Sequence, residues 1–299
     1  MRIFVTGATG WIGTAVTGEL LAAGHDVVGL ARSDASAETL AARGATPLRG
    51  TLDDLGIIKD AAADSDGVIH LGFVHDFDRF ADSGRVERAV VETVGDTLAG
   101  SDRPFLLASG VAGLTPGRVA TEDDRSQHVG PDAPRGGSEA LALEYADQGV
   151  RSVGLRFAAS VHGIGDHGFV ATLTQIARDR GVSGYLGDGA NRWPAVHRSD
   201  AARLVALALG AAPAGSVVHA VGEEGVATRD IAEAIGRSLD LPTASVAPED
   251  AEAHFGWMAR FFGLDAPASS ARTRERYGWE PTGPTLLEDI AAGGYLPRS

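Results

Sequence analysis

The chain has 299 residues, no cysteine and a formal net charge of −14 at pH 7. A chain of that length buries about 75% of the surface its unfolded form exposes, enough for one large core or two coupled ones. The charge disfavours nucleic acid and anionic membranes as partners, and the absence of cysteine excludes disulfides and thiolate zinc sites. No apolar run approaches the roughly 18 residues that span a bilayer. The opening MRIFVTG enters a strand instead of a signal-type stretch, so the expectation is a cytoplasmic protein with no nucleic-acid or membrane contact.

From the first residues, short β-rich runs (RIFVT, DVVGL, ATPLR, DGVIHL, PFLLAS, RSVGLRF) alternate with helical patterns such as residues 11–23 and 85–98. This alternation predicts a parallel sheet, and strands apolar almost throughout predict helices on both faces: a doubly wound α/β (Rossmann) fold. After Phe157 comes a Gly and His loop, AASVHGIGDHGF. The next segment, GYLGDGANRWPAVHRSDAARLVALAL, reads as strand, turn, strand and a helix with Ser199 as N-cap and Asp200 in its first turn. From Thr228 onward short helices dominate, including TRDIAEAIGRSL, residues 248–254, SSARTRERYG and PTLLEDI. The expected division is a sheet domain of residues 1–156 plus 195–222 and a smaller, mostly helical domain of residues 157–194 plus 223–299.

Directly after the first strand, VTGATGWIG carries Gly7, Gly10 and Gly13 into the first helix, and a second strand follows. In that setting backbone N–H groups and a helix N-terminus aim at a pyrophosphate, which makes the sheet domain the dinucleotide-binding one. The second strand ends VVGLARS. An NAD site places an acidic residue there for the ribose 2′-hydroxyl, whereas Arg32 and Ser33 suit a 2′-phosphate. The expected cofactor is NADP(H); the alternative is that Arg32 is an ordinary solvated arginine.

Taken with RGTLDD, DGVIHLGF, LRFAASVHG, RWPAVHRSDAARL and SSARTRERYGWEP, the glycine motif makes the whole chain resemble the short-chain dehydrogenase/reductase superfamily, in its extended and atypical NAD-dependent epimerase/dehydratase branch. The resemblance implies that Thr6, Gly7, Thr9, Gly10, Trp11, Ile12 and Gly13 wrap the dinucleotide. It also implies that Leu52 and Asp53 lie by the adenine and that Leu71, Gly72 and Phe73 flank the ribose next to nicotinamide. A small-molecule substrate would bind between the sheet edge and the C-terminal part. A homodimer would form through the helices after the fourth and fifth strands, here residues 85–98 and 138–148.

The family's catalytic tyrosine and the lysine four residues later match Arg135 and Glu139 in PRGGSEALALEYA. Arginine does not shuttle protons near neutrality, and glutamate reverses the charge that activates the phenol. Arg135 then becomes a candidate substrate-pocket residue and Glu139 an acceptor for ribose hydroxyls, while Tyr145 reads as packing. Ser109, ending the fifth strand, matches the family's serine that hydrogen-bonds the substrate oxygen, or is a buried hydroxyl met by backbone. The replacement acid is sought in Asp76 or His75, with Asp76 also suited to an N-cap near Phe77, and in His162, His167 and His197. Grouping His162, Asp166, His167 and His197 as a metal site matches no strong signature, so no metal is expected. Phe169, Tyr185, Asn191 and Trp193 are further pocket wall, with core as the alternative for Trp193.

These residues favour an NADPH-dependent reductase of a small carbonyl, imine or activated alkene, chemistry that tolerates loss of the tyrosine. The alternatives are a nucleotide-sugar epimerase or dehydratase and a non-catalytic NADP(H)-binding sensor.

Overall fold

The computed structural model describes residues 1–74, 79–115 and 117–296. Its first elements are β1 (Arg2–Thr6), α1 (Trp11–Ala22), β2 (Asp26–Ala31), α2 (Asp34–Ala42), β3 (Thr46–Arg49), α3 (Leu55–Ala63) and β4 (Gly67–His70). There follow α4 (Phe80–Leu98), β5 (Pro104–Gly110), α5 (Ser138–Glu144), β6 (Arg151–Phe157), β7 (Ser160–His162), α6 (Phe169–Arg180), β8 (Ser183–Leu186) and β9 (Arg192–His197). Last come α7 (Arg198–Ala211), β10 (Ser216–Ala220), β11 (Glu223–Ala227), α8 (Thr228–Leu239) and β12 (Thr243–Val246), with short helices beyond.

Seven strands form a sheet of order β10-β6-β5-β4-β1-β2-β3, parallel as the βαβ alternation requires. Side-chain alternation shows that both faces are covered. Phe4, Val28, Leu30, Val68, Phe105 and Leu107 share one core with Ile58, Val90, Val94, Ala142 and Tyr145 from α3, α4, α5 and the turn after it. Their strand neighbours Ile3, Val5, Val27, Ile69 and Leu106 point the other way and are equally buried. The buried faces of α1 (Val16, Leu20) and α7 (Leu204, Val205, Ala208) lie outside that first core. The fold is therefore doubly wound.

The chain divides into two compact units, one of residues 1–109, 125–156 and 202–218, the other of 110–124, 157–201 and 219–299. The expected division differs by assigning 110–124, 195–201 and 219–222 to the sheet domain. Within the second unit a bridge between Ala120 and Ala268 ties down the first of those segments. The second segment continues β9, the central strand of a small β11-β9-β7 sheet. This unit has its own core, from Leu173, Trp193, Ile231, Ile235, Phe255, Phe262, Leu286 and Ile290 among others. Helix α7 starts at Arg198, so Ser199 is inside it and is not its N-cap. His197 precedes the helix, and its Nδ1 lies 3.4 Å from the Ser199 N–H, a capping contact. Among the described residues no helix is long and apolar enough to cross a membrane.

Candidate functional site

At the end of β1 the glycine turn is fixed by close backbone approach. Gly7 has φ +67, and a Cβ there would sit 2.6 Å from the Gly72 nitrogen. A Cβ on Gly13 would come 2.0 Å from the Gly7 carbonyl oxygen. Only glycine fits at both places, which brings the turn against the residues after β4 and against the start of α1. The Gly72 N–H also donates to Thr6 Oγ1 at 3.1 Å. Gly10 caps α1 with no side-chain acceptor, leaving the helix N-terminus suited to an anion. Leu52 lies against Gly72, and Asp53 is exposed in a turn held by Thr51 and Asp54. This cradle fits a dinucleotide pyrophosphate.

β2 ends on Ala31 with no acidic residue, and the Arg32 that follows is exposed. Parallel pairing sets Arg49, at the end of β3, level with Ala31. Its guanidinium donates to the Ala31 carbonyl at 3.3 Å and lies 3.3 Å from Asp34. Sequence reasoning missed Arg49; the signal was a cation ending the neighbouring strand, in register with the residue before Arg32. Ser33 is the N-cap of α2, accepting from the Ser36 N–H.

Arg135 and Glu139, the residues expected at the tyrosine and lysine positions, are both held in ion pairs. Arg135 donates through Nε to Glu87 Oε2 at 3.0 Å and through Nη2 to Glu87 Oε1, and its guanidinium carbon lies 4.6 Å from the Phe73 ring centroid. Burial pushes the Glu87 carboxyl above its ordinary range, and the Arg135 charge opposes that rise. Arg135 has φ +54, and Gly136 and Gly137 follow at +60 and +62. Glu139, expected to accept from ribose hydroxyls, instead accepts from Arg156 Nε at 3.1 and 3.0 Å and from its Nη2 at 2.6 Å. Both side chains are almost fully buried, so the carboxylate is already occupied.

Ser109 is half-buried at the end of β5, two residues beyond the Leu107 that pairs with His70. Its hydroxyl has no hydrogen-bond partner among the described residues. His70 is hydrogen-bonded through Nδ1 to Thr6 Oγ1, and its buried Nε2 has no partner among the described residues. Burial first, and then the Arg135 charge, bring its pKa down to about 3. Tyr145 is core: its hydroxyl donates to Asp96 at 2.7 Å, and its ring occupies the space a Gly95 side chain would need.

In the second unit, His162 is fully buried with Nδ1 2.6 Å from Asp289 Oδ2 and Nε2 3.8 Å from Glu223 Oε2. Burial lowers its pKa against the opposing pull of Asp289. His197 lies 4.0 Å from the same Asp289 oxygen and is hydrogen-bonded to Ser199. Asp166 accepts from the Tyr295 hydroxyl, and His167 is exposed in the turn before α6. Among the described residues no three histidine or carboxylate side chains are arranged to hold a metal. Trp193 is 2% exposed and donates to the Phe261 carbonyl, a core residue and not pocket wall. Phe169 stacks with Trp193, Trp257 and Phe261, Tyr185 lies under Arg229, and Asn191 donates to the Phe262 and Leu264 carbonyls. His75 and Asp76 lie outside the described residues.

A parallel sheet whose first strand turns through close-packed glycines into a helix defines a dinucleotide-binding α/β protein of the extended short-chain dehydrogenase/reductase fold. Within it, the chain belongs to the NAD dependent epimerase/dehydratase family, matching it over residues 3–221. That family depends on nicotinamide dinucleotides. An uncharacterized protein of Schizosaccharomyces pombe is 47% identical over 99% of this chain and 100% of its own length. An uncharacterized protein of Saccharomyces cerevisiae is 46% identical over 98% of both chains. Among solved structures, the dTDP-glucose 4,6-dehydratase DesIV of Streptomyces venezuelae, with NAD bound, superimposes with a TM-score of 0.78 over 98% of this chain and 96% of that one. At 21% identity this likeness speaks for the fold alone.

Proposed function

We propose that the chain is an NADPH-dependent oxidoreductase that reduces a small carbonyl, imine or activated alkene. The observation that carries this reading is the end of β2, where the strand closes on Ala31 with no acid, the exposed Arg32 follows it, and Arg49 of β3 pairs level with Ala31. An acidic residue there would repel a 2′-phosphate, whereas two guanidiniums bind one by charge-assisted hydrogen bonds. The residues from Thr6 to Gly13 would hold the pyrophosphate, and Leu71 to Phe73 the nicotinamide ribose. When bound, NADPH supplies a hydride.

The chain's own residues then have to orient the acceptor and exclude water. Ser109, with its free hydroxyl, donates to the acceptor oxygen. Arg135 and Glu139 do not supply the proton, since one is a permanent cation and the other is engaged by Arg156. His162 is sealed in its own unit against Asp289, which leaves the proton to water or to one of the other candidate acids, Asp76 and His75 first. An epimerase or dehydratase needs a base to remove a hydroxyl proton, and the replaced pair disfavours that chemistry.

Fluorescence titration with NADPH and NADH tests the cofactor assignment. The expected result is NADPH binding at least about tenfold tighter, with the preference falling by a similar factor in Arg32→Ala, in keeping with the loss of a charged hydrogen bond. Equal affinity for the two nucleotides in the wild type would sink the assignment. Cofactor oxidation across ketones, quinones, cyclic imines and enones tests the reductase reading; tight NADPH binding without turnover on any class favours the sensor.

A further inference from the structure

A guanidinium presents five N–H groups in a planar fork. In Arg135 the Nε edge faces Glu87, whose two oxygens it meets through Nε and Nη2. One face of the plane is covered by Phe73. What is left is the outer edge, the two N–H groups of Nη1 and the second of Nη2, for which the described residues provide no acceptor. The side chain is 31% exposed, while Glu87 is 1% exposed, so that edge is open and the partner edge is sealed. Phe73 follows Gly72, which touches the glycine turn, so the open edge stands beside the cofactor cradle within a single unit.

The backbone holds this placement at a cost. Arg135 is one of three non-glycine residues with positive φ among those described, a conformation about 1–2 kcal/mol unfavourable for a residue with a Cβ. Arg88 donates to the Gly136 carbonyl at 3.0 Å, the Ser138 hydroxyl donates to the Arg135 carbonyl at 2.6 Å, and a Cβ on Gly136 would strike the Gly84 carbonyl at 2.5 Å. The turn is clamped against α4, and the Glu87 carboxylate and the Phe73 ring orient the guanidinium. Neutralising Glu87 requires a cation, but it requires neither a left-handed arginine nor an open fork.

We propose that Arg135 is a recognition residue for a carboxylate carried by the substrate, which its outer edge takes by two parallel N–H···O bonds. The geometry suits a planar, two-oxygen acceptor. Because Glu87 offsets much of the charge, the fork's hydrogen bonds do the selecting more than long-range attraction does. In a chain of net charge −14, an anionic substrate needs such a local donor. This rests on the reading of a small-molecule reductase and narrows its substrates to carbonyl or alkene acids.

The test uses the full chain, with and without NADPH, and benzoate against methyl benzoate as probes, read by thermal shift and by quenching of nucleotide fluorescence. Benzoate is expected to bind at least about tenfold tighter than its ester. Arg135→Lys should lose most of that preference, because it keeps a cation and gives up the fork. Arg135→Met with Glu87→Met removes both charges without leaving one buried alone, and it should show no preference. An ester bound as well as the acid by the wild type overturns the proposal, as does an acid preference that survives in either variant. Failure of NADPH to bind would count against the cofactor reading alone, since the preference is also measured without nucleotide.

Discussion

Arg135 and Glu139 stand four residues apart, and each is locked in an arginine–carboxylate pair, but the two pairs are built differently. Arg156 and Glu139 are 1% and 7% exposed and meet through three contacts, so neither has capacity left for a ligand. Arg135 keeps an open edge over a sealed Glu87. The first pair is closed within the core and serves the fold; the second leaves guanidinium donors facing outward. The same chemical pair is thus a structural element in one place and a candidate ligand site in the other, and solvent access makes the difference.

The largest effect should come from breaking the closed pair. Arg156→Met leaves the Glu139 carboxylate buried alone and should cost about 3–5 kcal/mol in urea unfolding. Adding Glu139→Met should recover most of that loss, because a buried ion pair gains little over well-packed apolar side chains. A double variant as unstable as the single one would mean that the pair stabilises the fold in its own right.

A smaller loss, about 1–3 kcal/mol at neutral pH, is expected from Arg135→Met, since water can reach the side of Glu87 that Arg135 vacates. It should also depend on pH, with a sign that follows from Glu87. Burial raises that carboxyl's folded pKa above its unfolded value, and removing Arg135 raises it further. The folded variant then keeps a proton that the folded wild type has released, so the penalty grows as pH climbs from the wild-type folded pKa to the variant's, and this part of it is absent at lower pH. Unfolding curves between pH 4 and 8 read this directly, and a flat penalty would mean that Glu87 stays charged throughout.

How much of this was legible in sequence follows from the range of the interactions. β1 to β6 and the glycine turn are local: alternating apolar runs and a strand-to-helix glycine motif need no distant partner to be read. β7, β11 and β12 are short segments, SVH, EEGVA and TASV, that become strands only through pairing with β9 or β8. The site was half legible. Arg135 and Glu139 stand out as replacements, but no local pattern links them to Glu87 and Arg156, which sequence reasoning did not single out. Their partners are 48 and 17 residues away. A signal was present in both: Glu87 shares the helical face of Val90, Val91 and Val94, and Arg156 interrupts the buried run of β6.

The smallest effect separates the pairs most cleanly. His70 is held down to about 3 chiefly by burial and secondarily by the Arg135 charge. Because that folded pKa lies below the ordinary value near 6.5, the unfolded chain takes up a proton that the folded one refuses. Stability therefore falls by about 1.4 kcal/mol per pH unit as pH drops through that window. In Arg135→Met the imidazole loses a repelling cation, so its pKa should rise slightly while staying well below the ordinary range, and the acid limb of the stability curve should shorten to match. In Arg156→Met it should not move, since that guanidinium is not among the charges acting on His70. NMR titration of the His70 ring in both variants reads the difference. A shift in neither would mean that the Arg135 charge is not felt at β4, where the cofactor cradle begins, and would remove the electrical distinction between the open pair and the closed one.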